Sequence, residues 1–215
     1  NRVNVKKYTL PISIALILFF FIHKDLFPGE KNQWFKVKLV NDGDTIVLSD
    51  GRRIRYIGIN CPEIGYNNKK NEPFAYKAKN FNRKLVSGKY VRLEFDNEKL
   101  DQYGRYLAYV FMKNNLFVNA EMIKKGYAFC LYRYPNIRYN KLFLKYQHEA
   151  MDIKKGIWSI LNNEKIRIIG NKKSKRFHLE NCTFGKRTGK KNKVSFSSKT
   201  DAFRAGFAPG KKCGF

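Results

Sequence analysis

The sequence is poor in acidic residues. It has 17 Asp and Glu against 44 Lys and Arg, so its formal net charge is +27 over 215 residues and its pI is near 10.0. This deficit is larger than solubility requires, and it favours polyanionic partners, either nucleic acid or an anionic membrane surface. The basic residues are spread along the chain, so both the central region and the tail could follow a phosphate backbone.

Cysteine is scarce as well. The four cysteines, Cys61, Cys130, Cys182 and Cys213, do not show the spacing of a small disulfide scaffold, and a Cys182–Cys213 bridge stays open if the chain is exported. The sequence shows no Ser-His-Asp or Cys-His catalytic set and no internal repeat. The length suits one domain of ordinary size with appendages.

A long apolar run occurs only at residues 10–22, where it follows Arg2, Lys6 and Lys7. A positive segment before an apolar run is typical of an export signal, and this run is short for a membrane span of about 20 residues. No small-residue cleavage site follows, so residues 1–27 are predicted to be an uncleaved hydrophobic anchor helix. A cleaved signal of a secreted protein and a buried core helix are the alternatives. The positive-inside rule then places the rest of the chain outside the cytoplasm, at the cell membrane.

Residues 28–33 form a predicted polar linker, and strand patterns accumulate from Trp34 onward. The predicted strands cover residues 35–39, 46–48, 53–59, 91–95 and 106–111. The predicted helices cover residues 74–85, 118–125 and 140–155, with a buried stripe on the last formed by Leu142, Tyr146, Ala150 and Ile153. Five short strands interrupted by a helix, with helices at the end, indicate a mainly β fold with α elements, a five-stranded OB-fold barrel over residues 34–160.

Three short motifs gather residues suited to phosphodiester cleavage. They are Asp42-Gly43-Asp44-Thr45 followed by Arg55, then Asn60-Cys61-Pro62-Glu63, and then Asp101-Gln102-Tyr103-Gly104-Arg105. Carboxylates can hold a hard cation, two guanidinium groups can neutralise the charge on a phosphorane-like transition state, and a further carboxylate can take a proton from attacking water.

The order and spacing of these motifs resemble the thermonuclease family, the staphylococcal-nuclease-like proteins. The resemblance runs from about Trp34 to Trp158 and includes the segment 154–158. It implies that Asp44 is a ligand of Ca²⁺, with the backbone carbonyl of Cys61 as another. Asn60 stands where the family usually has a second aspartate. Its amide oxygen can still bind a hard cation, but one negative charge is missing, so weaker Ca²⁺ binding is expected.

The resemblance also assigns roles around the scissile phosphate. Glu63 is the expected general base or the residue that orients the water. Arg55 is expected to contact the scissile phosphate and Arg105 to aid the leaving group, because a guanidinium forms bidentate hydrogen bonds and stays charged. The nucleotide-facing aromatic residues are expected to be Tyr103, Tyr132 and Tyr134. For each tyrosine, a place in the hydrophobic core is the alternative.

The tail, residues 168–215, resembles the N-terminal zinc domain of the Ada repair protein, which has a four-cysteine-type site. His178, Cys182 and Cys213 stand at the first, second and last ligand positions, and Gly210 stands at the third. A structural zinc takes four protein ligands. The tail is therefore either a Zn²⁺ module with a changed ligand set or a metal-free, basic accessory module.

The expected function is that of a Ca²⁺-dependent phosphodiester endonuclease that cleaves DNA and RNA with low sequence specificity and leaves 3′-phosphate ends, as the resemblance implies. The alternative is a noncatalytic OB-fold protein that binds nucleic acid at the cell surface. The presence of Arg55, Glu63 and Arg105 together with Asp44 favours the enzyme, because relatives that only bind tend to lose such residues. The oligomeric state is not indicated.

Overall fold

The structure is a computed structural model that describes residues 33–210 except 66, 68 and 163. The predicted anchor over residues 1–27 lies outside the described residues, as does almost all of the linker. Within the described part of the chain, no helix is long and apolar enough to cross a bilayer.

The central region contains seven strands and three helices. In chain order they are β1 (Trp34–Val40), β2 (Thr45–Leu48), β3 (Arg53–Tyr56), β4 (Ile59–Asn60), α1 (Ala75–Val86), β5 (Tyr90–Glu94), β6 (Tyr106–Met112), α2 (Val118–Lys124), β7 (Phe129–Cys130) and α3 (Asn140–Asp152). Five of the strands close into a barrel in the order β1-β2-β3-β6-β5, and β4 pairs with β7 in a separate two-stranded sheet. The predicted five-stranded barrel is confirmed.

Strand β1 closes the barrel because it pairs with two neighbours. Its first part lies antiparallel to β5, and its second part lies antiparallel to β2 after an irregularity between Val37 and Leu39. The pair β3–β6 is parallel. Alternate apolar side chains fill the interior, and Ile46, Leu48 and Ile54 are fully buried there, as expected of strands whose residues alternate between the two faces of a sheet.

The structure corrects two details of the sequence interpretation. The strand predicted over 53–59 divides into β3 and β4, because Gly58 has a φ of 78° and a Cβ there would lie 2.6 Å from the ring of Phe143. The helix predicted over 140–155 ends at Asp152. Its buried side chains are Phe143, Gln147, Ala150 and Met151, whereas Ile153 lies beyond the helix end and is 68% exposed.

The tail forms a small unit of its own secondary structure, which we call the C-terminal module (residues 168–210). It contains β8 (Ile168–Asn171), β9 (Arg176–Leu179), α4 (Thr183–Lys186), β10 (Lys193–Phe196), α5 (Lys199–Arg204) and β11 (Ala208–Pro209). The strands form one sheet in the order β10-β8-β9-β11, with β9 and β11 parallel.

An apolar cluster joins the C-terminal module to the barrel. The ring of Phe203 in α5 lies edge-on to Phe129 of β7 at 5.5 Å and to Trp158 at 5.0 Å between centroids. The buried amide of Gln147 in α3 accepts a hydrogen bond from the backbone N–H of Cys130 and donates one to the carbonyl of Phe203, both at 2.7 Å. Strand β7 and the module are therefore held to the same side of α3.

Candidate active site

The turn between β1 and β2 sets the position of Asp44. The side chain of Asp42 accepts a hydrogen bond from the backbone N–H of Asp44 at 2.9 Å. A Cβ on Gly43 would lie 2.6 Å from the Cβ and Sγ of Cys61 and 3.0 Å from the Cβ of Ala78 in α1. The turn therefore packs so tightly against its neighbours that only glycine fits at this position.

Asp44 is buried next to Arg55. Its Oδ2 accepts a hydrogen bond from the backbone N–H of Cys61 at 2.8 Å and lies 3.1 Å from Nη2 of Arg55. Burial raises the pKa of Asp44 to about 7, the positive charge of Arg55 opposes this rise, and the negative charges of Asp42 and Glu63 add to it. One guanidinium thus compensates the burial of this carboxylate only in part.

Asn60 connects the arginine to the third predicted ligand. Its Oδ1 accepts a hydrogen bond from Nη2 of Arg55 at 2.8 Å, and its Nδ2 donates to the carbonyl of Cys61 at 3.0 Å. The pairing of Asn60 with Phe129 across β4 and β7 fixes the backbone. The structure therefore brings Asp44, Asn60 and the Cys61 carbonyl into one hydrogen-bonded cluster around Arg55.

This cluster fits a hard divalent cation. Its donors are a carboxylate, an amide oxygen and a backbone carbonyl, which are the oxygen ligands that Ca²⁺ and Mg²⁺ prefer. Burial raises the pKa of Asp44 in spite of its contact with Arg55, and a bound cation would stabilise the ionised carboxylate. Across residues 33–210 as described, no three His, Cys, Asp or Glu side chains are grouped to hold a metal. That finding is compatible with this donor set, in which a single member is a carboxylate.

Glu63 lies at the base of the loop that follows β4. Its backbone N–H donates to Oε2 of Glu72 at 2.8 Å, and its carbonyl accepts from the N–H of Glu72 at 3.0 Å. The preceding Pro62 is buried, whereas Glu63 is exposed. Because its charge acts on the pKa of Asp44, the exposed carboxylate lies within electrostatic range of the cluster.

Arg105 is held by its own turn at the start of β6. Its Nε donates to Oδ2 of Asp101 at 2.9 Å, and the N–H groups of Arg105 and Tyr103 donate to Oδ1. Burial alone would raise the pKa of Asp101, but these hydrogen bonds lower it overall. The neighbouring Tyr106, the first residue of β6, pairs with Ile54 of β3, so Arg105 immediately precedes the strand that lies parallel to the one carrying Arg55.

The predicted nucleotide-facing tyrosines lie in segments outside the barrel strands. Tyr103 is 62% exposed and Tyr134 is 74% exposed, while Tyr132 is half-buried. The Tyr103 ring lies 5.5 Å from the guanidinium of Arg105. The exposure of Tyr103 and Tyr134 argues against a place in the core for these two, and all three roles stay predictions.

In the C-terminal module, three of the four predicted ligand positions lie together. Nδ1 of His178 is 3.7 Å from Sγ of Cys182, and a Cβ on Gly210 would lie 1.9 Å from the His178 ring. Cys182 is disulfide-bonded, however, and a sulfur in a disulfide supplies no thiolate to a metal. Cys213 lies outside the described residues. The described part of the module gives no support to the zinc site expected there.

Sequence reasoning missed Asn82, a fully buried residue of α1. Its Oδ1 accepts a hydrogen bond from the hydroxyl of Tyr56 at 2.9 Å, and its Nδ2 donates to the carbonyl of Asp42 at 3.1 Å. The residue therefore ties α1 to the turn that positions Asp44. The available signal was an asparagine four residues after Ala78, on the apolar side of the predicted helix.

The fold and the cluster define the class of the protein. A closed five-stranded barrel presents a buried arginine–carboxylate pair and an exposed glutamate within electrostatic range of it, with a second arginine in the turn before the adjacent strand. This is the arrangement of an OB-fold nuclease.

Comparison with known proteins identifies the family. Residues 53–160 match the family model described as "Staphylococcal nuclease homologue". The chain belongs to the staphylococcal nuclease family, and it is a nuclease that hydrolyses phosphodiester bonds.

Several curated relatives are similar over most of their length. The chain is 37% identical over 167 residues to the thermonuclease of Staphylococcus intermedius, which covers 74% of this chain and 98% of that protein. It is 37% identical over 130 residues to the thermonuclease of Staphylococcus hyicus, covering 59% and 76% of the two chains. It is also 37% identical over 144 residues to the endonuclease YncB of Bacillus subtilis, covering 61% and 66%.

Proposed function

We propose that the protein is a Ca²⁺-dependent endonuclease that cleaves DNA and RNA with little sequence preference and leaves 3′-phosphate ends. The observation that carries the proposal is the cluster of Asp44, Arg55 and Asn60, in which burial disfavours the ionised form of a carboxylate that one guanidinium stabilises only in part. Asp44, Asn60 and the carbonyl of Cys61 would hold the ion. When bound, Ca²⁺ supplies positive charge to offset the charge on the phosphate.

The side chains of the cluster account for phosphate binding. Arg55 uses Nη1 for the carbonyl of Tyr56 and Nη2 for Asp44 and Asn60. A guanidinium has five N–H donors, so Nε–H and one Nη1–H have no partner within the described residues. These two N–H groups can donate hydrogen bonds to a phosphoryl oxygen while the other contacts keep the guanidinium in place.

Glu63 and Arg105 complete the reaction. The exposed carboxylate of Glu63 takes the proton of the attacking water. The hydrogen bond from the backbone N–H of Glu63 to Glu72 holds this segment in place. In-line attack expels the 5′-oxygen. Arg105, fixed on its Asp101 partner, stabilises the negative charge that grows on the departing oxygen.

The test is incubation of the purified chain with supercoiled plasmid and with single-stranded RNA, in Ca²⁺ and in chelator. Nicking and linearisation of plasmid in Ca²⁺ alone support the proposal. A 3′-phosphate is shown if the product ends become primers for a polymerase only after phosphatase treatment. Binding without cleavage under every divalent cation would instead support the noncatalytic nucleic-acid-binding alternative.

We further propose that residues 10–22 keep the protein at the cell membrane with the nuclease outside, and that the C-terminal module works as a basic accessory without zinc. The membrane proposal rests on the basic residues before the apolar run. The proposal of a module without zinc rests on the disulfide at Cys182. Protease added to intact cells should degrade the nuclease domain, and its protection would rule out the membrane proposal. Secretion would appear as active protein in the medium.

A further inference from the structure

Arg176 is a half-buried cation of the C-terminal module that lacks an acidic partner in the described chain. It is the first residue of β9, and its Nη1 donates to the carbonyl of Pro209 at 2.9 Å. No carboxylate among the described residues lies within ion-pair distance of it. A guanidinium that is partly removed from water carries a desolvation cost, which a neighbouring anion would offset.

The packing of the module places Arg176 near the nuclease site. The next residue, Phe177, lies edge-on to Phe203 at 5.2 Å, and Phe129 lies against the same Phe203 ring at 5.5 Å. Phe129 pairs with Asn60 across β7 and β4. A single aromatic ring therefore separates the strand that begins with Arg176 from the strand pair that carries a member of the catalytic cluster.

Positive charge accumulates at this junction. Burial lowers the pKa of Arg176, and the positive charges of Arg55 and Arg133 lower it further. Arg133 is exposed in the segment after β7 and has no ion-pair partner among the described residues. Asp44 is the sole described carboxylate in an ion pair with any of these three arginines. Like charges within interaction range favour a polyanion as their common ligand.

We propose that Arg176 and Arg133 bind phosphates of the nucleic-acid strand next to the scissile position, so that the C-terminal module completes the substrate-binding surface of the nuclease. The proposal rests on the proposed nuclease function and extends the site beyond residues 53–160, which the family model matches. The contact with Pro209 orients the Arg176 guanidinium and leaves other N–H donors for phosphate oxygens. Arg176 is a binding residue here, and it has no part in the chemical step.

The test measures binding of a fluorescent single-stranded DNA of about 16 nucleotides, long enough to span such a surface, by anisotropy in chelator over a range of salt concentrations. Variants are Arg176→Gln, Arg133→Gln and Arg176→Lys, with Lys193→Gln as the control. Lys193 is exposed on β10, an edge strand separated from β9 by β8, and its replacement removes the same charge.

We expect Arg176→Gln to weaken binding by about 3- to 10-fold and to lower the slope of log K against log salt by about 0.7, the value for one lost phosphate contact on a single strand. Arg176→Lys should restore most of the slope, and Lys193→Gln should resemble the wild type. In Ca²⁺, Arg176→Gln should raise KM with little change in kcat.

The result that overturns the proposal is an Arg176→Gln protein, folded by its melting curve, that has the affinity and slope of Lys193→Gln. If that variant does not fold, Arg133→Gln decides by the same criterion. Failure of the nuclease proposal is distinct. A wild type that cleaves nothing but binds DNA in an Arg176-dependent way removes the enzyme and keeps the binding surface. Cleavage by the wild type, together with DNA binding that does not depend on Arg176, keeps the enzyme and removes the binding surface.

Discussion

The barrel site and the predicted zinc site of the C-terminal module differ in the groups that they bring together. In the barrel, Asp44, Arg55 and Asn60 bring together the oxygen and guanidinium groups that cation and phosphate binding need. In the module, His178, Cys182 and Gly210 lie together, but a glycine side chain has no ligand atom and Cys182 is disulfide-bonded. Predicted ligand positions that lie close together in the fold are therefore not sufficient to indicate a metal site.

The two regions also treat charge differently. The barrel buries a carboxylate against one guanidinium and surrounds it with two further acidic residues, which favours a cation. At its junction with the barrel, the module brings Arg176 within electrostatic range of Arg55 and Arg133, which favours an anion. A single strand of nucleic acid together with Ca²⁺ satisfies both demands.

The largest expected effect is on turnover, and it distinguishes residues of the barrel site from charged residues elsewhere on the surface. Glu63→Gln and Arg105→Ala should each lower turnover by at least about 10²-fold, because in the proposed mechanism they remove the general base and a donor to transition-state charge. Glu149→Gln and Arg53→Ala, exposed residues of α3 and β3, are the matched controls and should keep normal turnover. Near-normal turnover in either test variant removes that residue from the mechanism.

The next effect concerns the module. Cys182→Ser should lower the free energy of unfolding by about 2–4 kcal/mol, the usual loss when a disulfide is removed. A reductant should destabilise the wild type by a similar amount and leave the variant unchanged in thermal unfolding. A zinc chelator should change neither. Stoichiometric zinc in the purified chain, with destabilisation by the chelator, would contradict this prediction.

The pH dependence of Ca²⁺ activation should report the burial of Asp44. Its pKa is raised from 3.8 to about 7, so without a cation the folded state holds a proton that the unfolded state releases. The contribution of Asp44 to stability is therefore present at low pH and is lost as pH rises from about 4 to 7.

Binding of Ca²⁺ must displace that proton. The Ca²⁺ concentration for half-maximal activity should therefore rise as pH falls below about 7, by at most about tenfold per unit. Activity is titrated against Ca²⁺ at several pH values and constant ionic strength. A half-saturation point that does not change between about pH 5 and 8 would show that Asp44 is ionised throughout this range.

The smallest expected effect is a gain in Ca²⁺ affinity. Asn60→Asp should need several-fold less Ca²⁺ for half-maximal activity, because Ca²⁺ affinity rises with ligand charge. In the wild type, Nδ2 of Asn60 donates to the carbonyl of Cys61, whereas an aspartate would place two oxygens face to face, and a cation between them would relieve the repulsion. Asn162→Asp adds the same charge at an exposed, distant position. Equal half-saturation in wild type and Asn60→Asp would show that Asn60 does not bind the ion.

Part of the barrel was predictable from the sequence because buried residues alternate with more exposed ones along β5 and the first half of β1, whereas β3 and β6 are buried over most of their length. Local pattern could not predict that the 53–59 segment divides at Gly58, because the cause is a close approach to Phe143 in a helix far along the chain. The same limit applies to Gln147, a polar residue on the buried face of α3. Its partners are the backbones of Cys130 and Phe203.

The candidate site was also predictable only in part from the sequence. Motif order placed Asp44, Arg55, Asn60 and Glu63 in one region, since turns and short strands connect them directly. The hydrogen bonds of Asn60 to both Arg55 and the Cys61 carbonyl depend on side-chain geometry that spacing does not contain. The approach of Arg176 to the barrel depends on tertiary packing around Phe203, which no local pattern encodes.

Calorimetric titration of Ca²⁺ into the purified chain tests most directly whether cation chemistry resides in the barrel and not in the module. The wild type should bind one Ca²⁺ per chain, Asp44→Asn should bind none, and His178→Ala should bind as the wild type does. Binding that persists in Asp44→Asn, or that is lost in His178→Ala, would contradict the assignment of the cation site.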